Sequence, residues 1–143
     1  MTIISVLLIF IQLGISQVSD STFEAHLDMF ARYIDQDLDS ALFYAHNMLD
    51  EAHQLEDDKL IVRAEYALGY TYRELDNYGE AIKHYQNSWF LARSHRWDER
   101  EIMASNGLGT ALYELGDYPE ALRYLYISLE KRKERNIPEE LST

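Results

Sequence analysis

The sequence predicts an all-α fold, an α-solenoid of three stacked helical hairpins. Three observations predict it. A segment recurs without gaps forty residues later in the chain, Ala64 aligning with Ala104 and Leu129 with Trp89. Within each copy the apolar residues fall at three- and four-residue steps, the spacing that draws a stripe down one helix face. Glycine (6) and proline (2) are too scarce in 143 residues to supply the turns of a hairpin-rich β fold. The length suits a single domain. A composition that is 47% hydrophobic and 27% charged excludes a disordered or collagen-like chain. With no cysteine, disulfides, thiolate metal sites and cysteine nucleophiles are excluded. A net charge of −12 argues against nucleic acid as a partner.

The chain opens on an apolar run, Ile3 to Ile15, interrupted by the polar residues Ser5 and Gln12. Its length fits the apolar core of a secretory signal peptide, about 7–15 residues, and falls short of the ~20 needed to span a bilayer. Gly14 and Ser16 place small residues before a cut at Gln17. Residues 1–16 are therefore expected to be a signal peptide. The mature chain, 17–143, would be exported to the periplasm or secreted. Left uncleaved, the same segment would anchor it to a membrane, the one membrane contact expected.

Helices are expected at about 20–35, 38–55, 59–75, 78–95, 98–115 and 118–136. They pair into hairpins at about 20–55, 59–95 and 98–136. Asp37, Asn77 and Asp117 recur at the start of each second helix, and all are good N-caps. Glu80 and Glu120 lie three residues further on, completing a capping-box pattern. Pro119 sits in the first turn, where its missing N–H costs nothing. Ala41, Ala81 and Ala121 recur threefold, and Gly69 and Gly109 repeat where two helices would otherwise collide. Upstream of Asp37 the register degrades. One hairpin cannot bury its own stripe, so neighbours must stack.

These residues resemble the tetratricopeptide repeat (TPR). Leu68-Gly69, Tyr72, Tyr78, Ala81 and Tyr85 match its signature in full. Leu108-Gly109, Tyr118 and Ala121 match it again, with Leu112 and Leu125 in place of aromatics. Glu65 and Ser105 stand where the family has tryptophan. The resemblance covers about 59–136 strongly and 20–58 weakly. The forty-residue period is similar to the long-helix variants of bacterial sensors and regulators. It implies a right-handed superhelix that binds a protein or peptide on its concave side. Carried over to that side, the groove positions are Arg63, Tyr66, Tyr70 and Arg73 in the middle unit. In the third unit they are Met103, Asn106, Thr110 and Tyr113. Tyrosine and arginine dominate binding hot spots. Most of the eleven tyrosines are expected in the core.

No nucleophile elbow, P-loop or dinucleotide fingerprint is present, so no enzymatic activity and no cofactor are expected. His46, Asp50 and His53 share one helix face and form a weak candidate metal set. His84 and His95 have no such neighbours in sequence. Charge is uneven. Between Gln17 and Asp58 eleven acids face one base, a net −10, while Lys131, Arg132, Lys133 and Arg135 crowd the last helix. That asymmetry offers a route to self-association, as does the uncapped last hairpin. The expected function is a peptide-binding scaffold, the exported sensory or adaptor part of a bacterial signalling system. The alternative is a helical domain sensing a small molecule or metal, or a fragment of a longer TPR histidine kinase or transcription regulator.

Overall fold

The structure, a computed structural model, describes residues 22–135. Helix α1 runs over 22–33. It is followed by α2 (Leu38–Gln54), α3 (Asp58–Glu74), α4 (Tyr78–Ser94), α5 (Asp98–Leu115) and α6 (Tyr118–Glu134). Consecutive helices pack on one another from α2 to α6, and α3 also touches α5. This is the all-α helical-repeat solenoid the sequence predicts. The expected signal peptide lies outside the described residues. Among those described, no helix is long and apolar enough to cross a membrane.

The helix starts at 38, 58, 78, 98 and 118 reveal a unit of twenty residues, half the repeat. The caps set that rhythm. Asp37 Oδ1 accepts from the N–H of Asp39 and Ser40, and Asp57 Oδ1 from those of Lys59 (2.8 Å) and Leu60. Asn77 and Asp117 accept from Glu80 and Glu120, each at 3.4 Å. The other half of the expected capping box does not form. The N–H of Asn77 and Asp117 instead donate to the carbonyls of Tyr72 and Leu112 in the preceding helices. Glu80 turns to Lys83, and Glu120 to Arg123.

Those backward bonds close the same turn four times. After α2, α3, α4 and α5 the chain places Glu56, Asp76, Arg96 and Gly116 in the left-handed region, at φ 52°, 57°, 57° and 95°. The N–H of each donates three residues back, and the next N–H donates five back, for instance Arg96 to Arg93 and Trp97 to Ala92. This is the paired bonding of a Schellman ending, which glycine suits best. Only the last of the four turns has it. The turn from α1 to α2 lacks a left-handed residue, consistent with the degraded register upstream of Asp37.

Two apolar clusters hold the stack. Phe23 of α1 meets Ala45, Met48 and Ala52 of α2 and Ala64, Ala67 and Leu68 of α3. Further along, Tyr85 of α4 and Tyr124 of α6 meet Leu108, Ala111 and Leu112 of α5. The small residues act as predicted. A Cβ on Gly69 would lie 2.8 Å from Tyr85 Cδ1, and one on Gly109 would lie 2.7 Å from Leu125 Cγ. The sequence reading missed Gly107, whose Cβ would meet Tyr85 Cε1 at 2.5 Å. Tyr85 is thus wedged between the backbones of α3 and α5. The expectation that most tyrosines are core is not met. Only Tyr85 and Tyr124 are buried, while Tyr113, Tyr118 and Tyr126 are exposed and the other six half-buried. Tyr66, Tyr70 and Tyr72 pack against the second cluster from its margin.

Candidate peptide groove on the A helices

The first helix of each hairpin, α1, α3 and α5, faces one side of the stack. A cavity of about 500 Å³ opens there, with Leu27, Phe30, Ile34 and Asp35 on one wall and Arg63, Tyr66, Ala67 and Tyr70 of α3 on the other. Arg100 of α5 closes its end. Three of the eight predicted groove residues therefore converge: Arg63, Tyr66 and Tyr70. Arg63 is already held, its Nη1 donating to Glu24 Oε1 at 2.9 Å and its guanidinium lying 5.3 Å from the Phe23 ring centroid. Tyr66 stands edge-on to Tyr85, 5.4 Å between centroids, and burial pushes its hydroxyl pKa up.

Arg73 lies further along α3. It stacks 5.1 Å over the Tyr70 ring and donates to Glu74, with Glu114 of α5 at 3.9 Å. Its charge is met inside the protein. The four predicted residues of α5 do not line the cavity. Thr110 Oγ1 donates to the Asn106 carbonyl of its own helix at 2.9 Å, Met103 is partly exposed, and exposed Tyr113 packs edge-on against Tyr118. Helix α5 reaches the groove through Arg100, three residues before Met103.

A second cavity, about 330 Å³, adjoins the first and shares Arg63 and Arg100 with it. Asp57, Lys59, Leu60 and Trp97 complete its lining. Sequence reasoning missed Lys59, Trp97 and Arg100. A signal was present, however. At the twenty-residue cap positions 37, 57, 77 and 117 the chain has Asp or Asn, and only 97 is tryptophan. No side chain caps α5 as a result.

Four of the five histidines are partnered across helices, which sequence neighbours could not show. His84 Nδ1 lies 2.6 Å from the buried Glu65 carboxylate, which also accepts from Asn87 Nδ2 at 3.1 Å. Glu65 stands where the family has tryptophan, and the His84 pair is what makes its burial tolerable. His26 meets Glu51 at 3.0 Å, and His95 meets Asp58 at 2.7 Å while stacking 4.3 Å from Trp97. His46 faces Tyr72, Nε2 to hydroxyl 3.1 Å, and burial pushes its pKa down. Its weak metal grouping with Asp50 and His53 is not assembled: among the described residues no group of three His, Asp or Glu side chains is placed to hold a metal ion.

The basic end of α6 is drawn inward. Lys131 bridges Asp98 (3.1 Å) and the buried Glu101 (3.0 Å), and Arg135 reaches Glu99. These contacts join α6 to the first turn of α5, so little of that charge is left for an acidic face of a second copy. Among the described residues nothing covers the outer face of α6, where Leu122 and Tyr126 are more than 60% exposed.

Comparison with known proteins agrees with this architecture. A search of curated proteins returned no significant match. Among solved structures, the crystal structure of the TPR domain of Arabidopsis FLU is similar, with a TM-score of 0.76 at 18% identity, covering 80% of this chain and 98% of that one. That likeness is one of fold. The family model described as a tetratricopeptide repeat matches residues 102–135. The model described as the SusR N-terminal TPR domain matches residues 12–87, more than half of the chain. The chain is a tetratricopeptide-repeat protein and belongs to the family of the SusR N-terminal TPR domain.

Proposed function

We propose that this protein is a non-catalytic scaffold that holds an extended peptide segment of a partner along α1, α3 and α5. One observation carries the reading: the two adjoining cavities on this side share Arg63 and Arg100 and so form a continuous groove, apolar at one end and cationic at the other. An elongated trough lined by half-buried tyrosines suits a chain segment better than a compact ligand. Tyr66 and Tyr70 supply rigid, amphipathic contact area at small entropic cost. The tetratricopeptide fold supports the same reading, because such repeats generally bind proteins or peptides.

The wider setting we propose is the exported sensory or adaptor part of a bacterial signalling system. The apolar run Ile3 to Ile15 and the small residues before Gln17 support export. The resemblance of the forty-residue period to bacterial sensors and regulators supports signalling.

The test is site-directed photocrosslinking in host extract. A photoreactive residue at Tyr70, in the groove, is compared with one at Lys83 on α4, whose side chain is largely exposed. Crosslinks to a partner from position 70 and none from 83 are expected. Tyr70→Ala should weaken capture of that partner about tenfold or more while circular dichroism stays native. Crosslinks from position 83 alone would refute the groove and point to the opposite face.

A further inference from the structure

We infer that the outer face of α6 is a self-association surface, on which two copies of this chain pair about a two-fold axis with their α6 helices antiparallel. Pro119, Leu122, Leu125, Tyr126, Ile127 and Leu129 line a depression of about 620 Å³ there, with Arg123 at its edge. Pro119, Leu122, Tyr126 and Leu129 follow at three- and four-residue steps and so draw one apolar stripe, with exposed Leu122 and Tyr126 at its middle. Contiguous exposed apolar surface of this kind marks an interaction site. It shares no lining residue with the peptide groove, so the inference stands apart from that reading.

Two observations name a second copy as the occupant. The first is a comparison along the repeat. Forty and eighty residues before Leu122 stand Ile82 and Leu42, which pack against the two apolar clusters. Forty and eighty residues before Tyr126 stand Gln86 and His46, both polar and exposed although α5 and α3 pack beside their helices. A further A helix laid on α6 would therefore cover Leu122 and call for a polar residue at 126. Tyrosine widens the apolar face beyond what such a neighbour takes. It also centres that face on a residue that a two-fold axis brings against itself. The second observation is charge. Arg123 and Glu130 are seven residues apart, two turns, so they lie on one edge of the stripe, on either side of Tyr126. A two-fold axis across the helix keeps that edge and reverses its direction. Arg123 of each copy then faces Glu130 of the other, giving two symmetric ion pairs around the tyrosines. Parallel helices would instead set each charge level with its own kind. The present partners leave both free to exchange: Glu120 for Arg123 and Lys133 for Glu130 are exposed pairs within the helix, which contribute little.

The test is sedimentation equilibrium on the chain and its variants, all produced in the native host. A dimer is expected. Tyr126→Gln, which installs the residue α4 carries at this repeat position, should weaken it at least about tenfold while circular dichroism stays native. Arg123→Glu and Glu130→Arg should each weaken it too. Mixing those two variants should restore a heterodimer tighter than either variant's own, because each reversed charge then meets its opposite across the interface. A structural role for either side chain would not produce that rescue. A monomeric unaltered chain would overturn the inference and leave α6 to another segment of this chain or to a different protein. A dimer that survives Tyr126→Gln would place the contact elsewhere, and a mixture that fails to recover would refute the antiparallel pairing. Either result overturns the surface.

Discussion

Adding a single methyl group at Gly107 tests how this solenoid is assembled. Gly107 lies in α5 and faces the ring of Tyr85 from α4, whose Cδ1–Cε1 edge also lies against Gly69 of α3. A Cβ on Gly107 would sit 2.5 Å from Cε1 and 2.7 Å from Cζ, against an ordinary contact of 3.4 Å or more. Something must therefore move by about 1 Å. The ring cannot yield, since it is 1% exposed and Tyr66 stands edge-on to it. Overpacking of this kind costs about 1–3 kcal/mol. Replacing glycine by alanine in a helix interior recovers about 1 kcal/mol. Gly107→Ala is thus expected to lose about 0–2 kcal/mol, which alone would be a weak result.

The diagnostic is the background. Tyr85→Leu removes Cε1 and Cζ, the two atoms that Gly107 would strike hardest, but keeps the branch near Cγ and Cδ1 that Gly69 would strike at 2.9 and 2.8 Å. In Tyr85→Leu a Cβ on Gly107 keeps one close contact, Cδ1 at 2.9 Å, while one on Gly69 keeps two, so Gly107→Ala should lose most of its cost and Gly69→Ala should keep more of it. Coupling between residues in contact typically reaches about 0.5–3 kcal/mol, well within the reach of urea titrations followed by circular dichroism. If Gly107→Ala costs the same in both backgrounds, Tyr85 is not what fixes the spacing of α3 and α5.

The left-handed turn residues offer a complementary series. Glu56→Gly and Arg96→Gly should each raise the unfolding free energy by up to about 1 kcal/mol, while Gly116→Val should lower it by about 1–2 kcal/mol, read from urea titrations. Trp97→Asp restores the missing cap and should stabilise the fold by about 1 kcal/mol in a melt, while weakening any peptide held in the groove that Trp97 lines. Asp37 tests the caps by pH: bonding from the Ser40 hydroxyl and amide holds its carboxyl below the ordinary value of 3.8. A depressed carboxyl stabilises the fold above the unfolded pKa and loses that contribution as pH falls through the folded one, so Asp37→Asn should flatten the acid limb of stability against pH. Protein recovered from the native host should begin at Gln17 by N-terminal sequencing, and an intact Met1 on soluble protein would refute export.

Much of the fold was legible because it is periodic. Asp37, Asn77 and Asp117 mark their helices by chemistry that acts within four residues, so spacing in the sequence is spacing in the structure. The helices fall within a residue or two of their expected ends for the same reason. Gly69 and Gly109 were legible as pairs, but Gly107 was not, because its repeat partner is Ala67 and only the observed position of the Tyr85 ring explains it. The histidine pairs were illegible for a related reason. His84 and Glu65 are nineteen residues apart, one helix-and-turn unit, and meet only when α3 and α4 pack. Of the eight expected groove residues, three line the cavity. Helix A of the middle unit contributes Arg63, Tyr66 and Tyr70, whereas α5 contributes Arg100, before the first position a motif can assign.

Position 97 joins the two halves of that account. Four of the five described interhelical turns follow a local rule that places a capping oxygen before the next helix, and the rule is broken where α5 begins beside Lys59 and Arg100. A break in a strong local pattern carries information that the pattern itself does not. Capping would stabilise α5 by about 1 kcal/mol; tryptophan forgoes this and places a fixed aromatic plane in a groove. Stabilising choices at the other turns and a destabilising one here are what a binding surface grafted onto a repeat scaffold would show. If Trp97→Asp stabilises the fold and leaves peptide binding untouched, that reasoning fails: the tryptophan would then be only a poor cap.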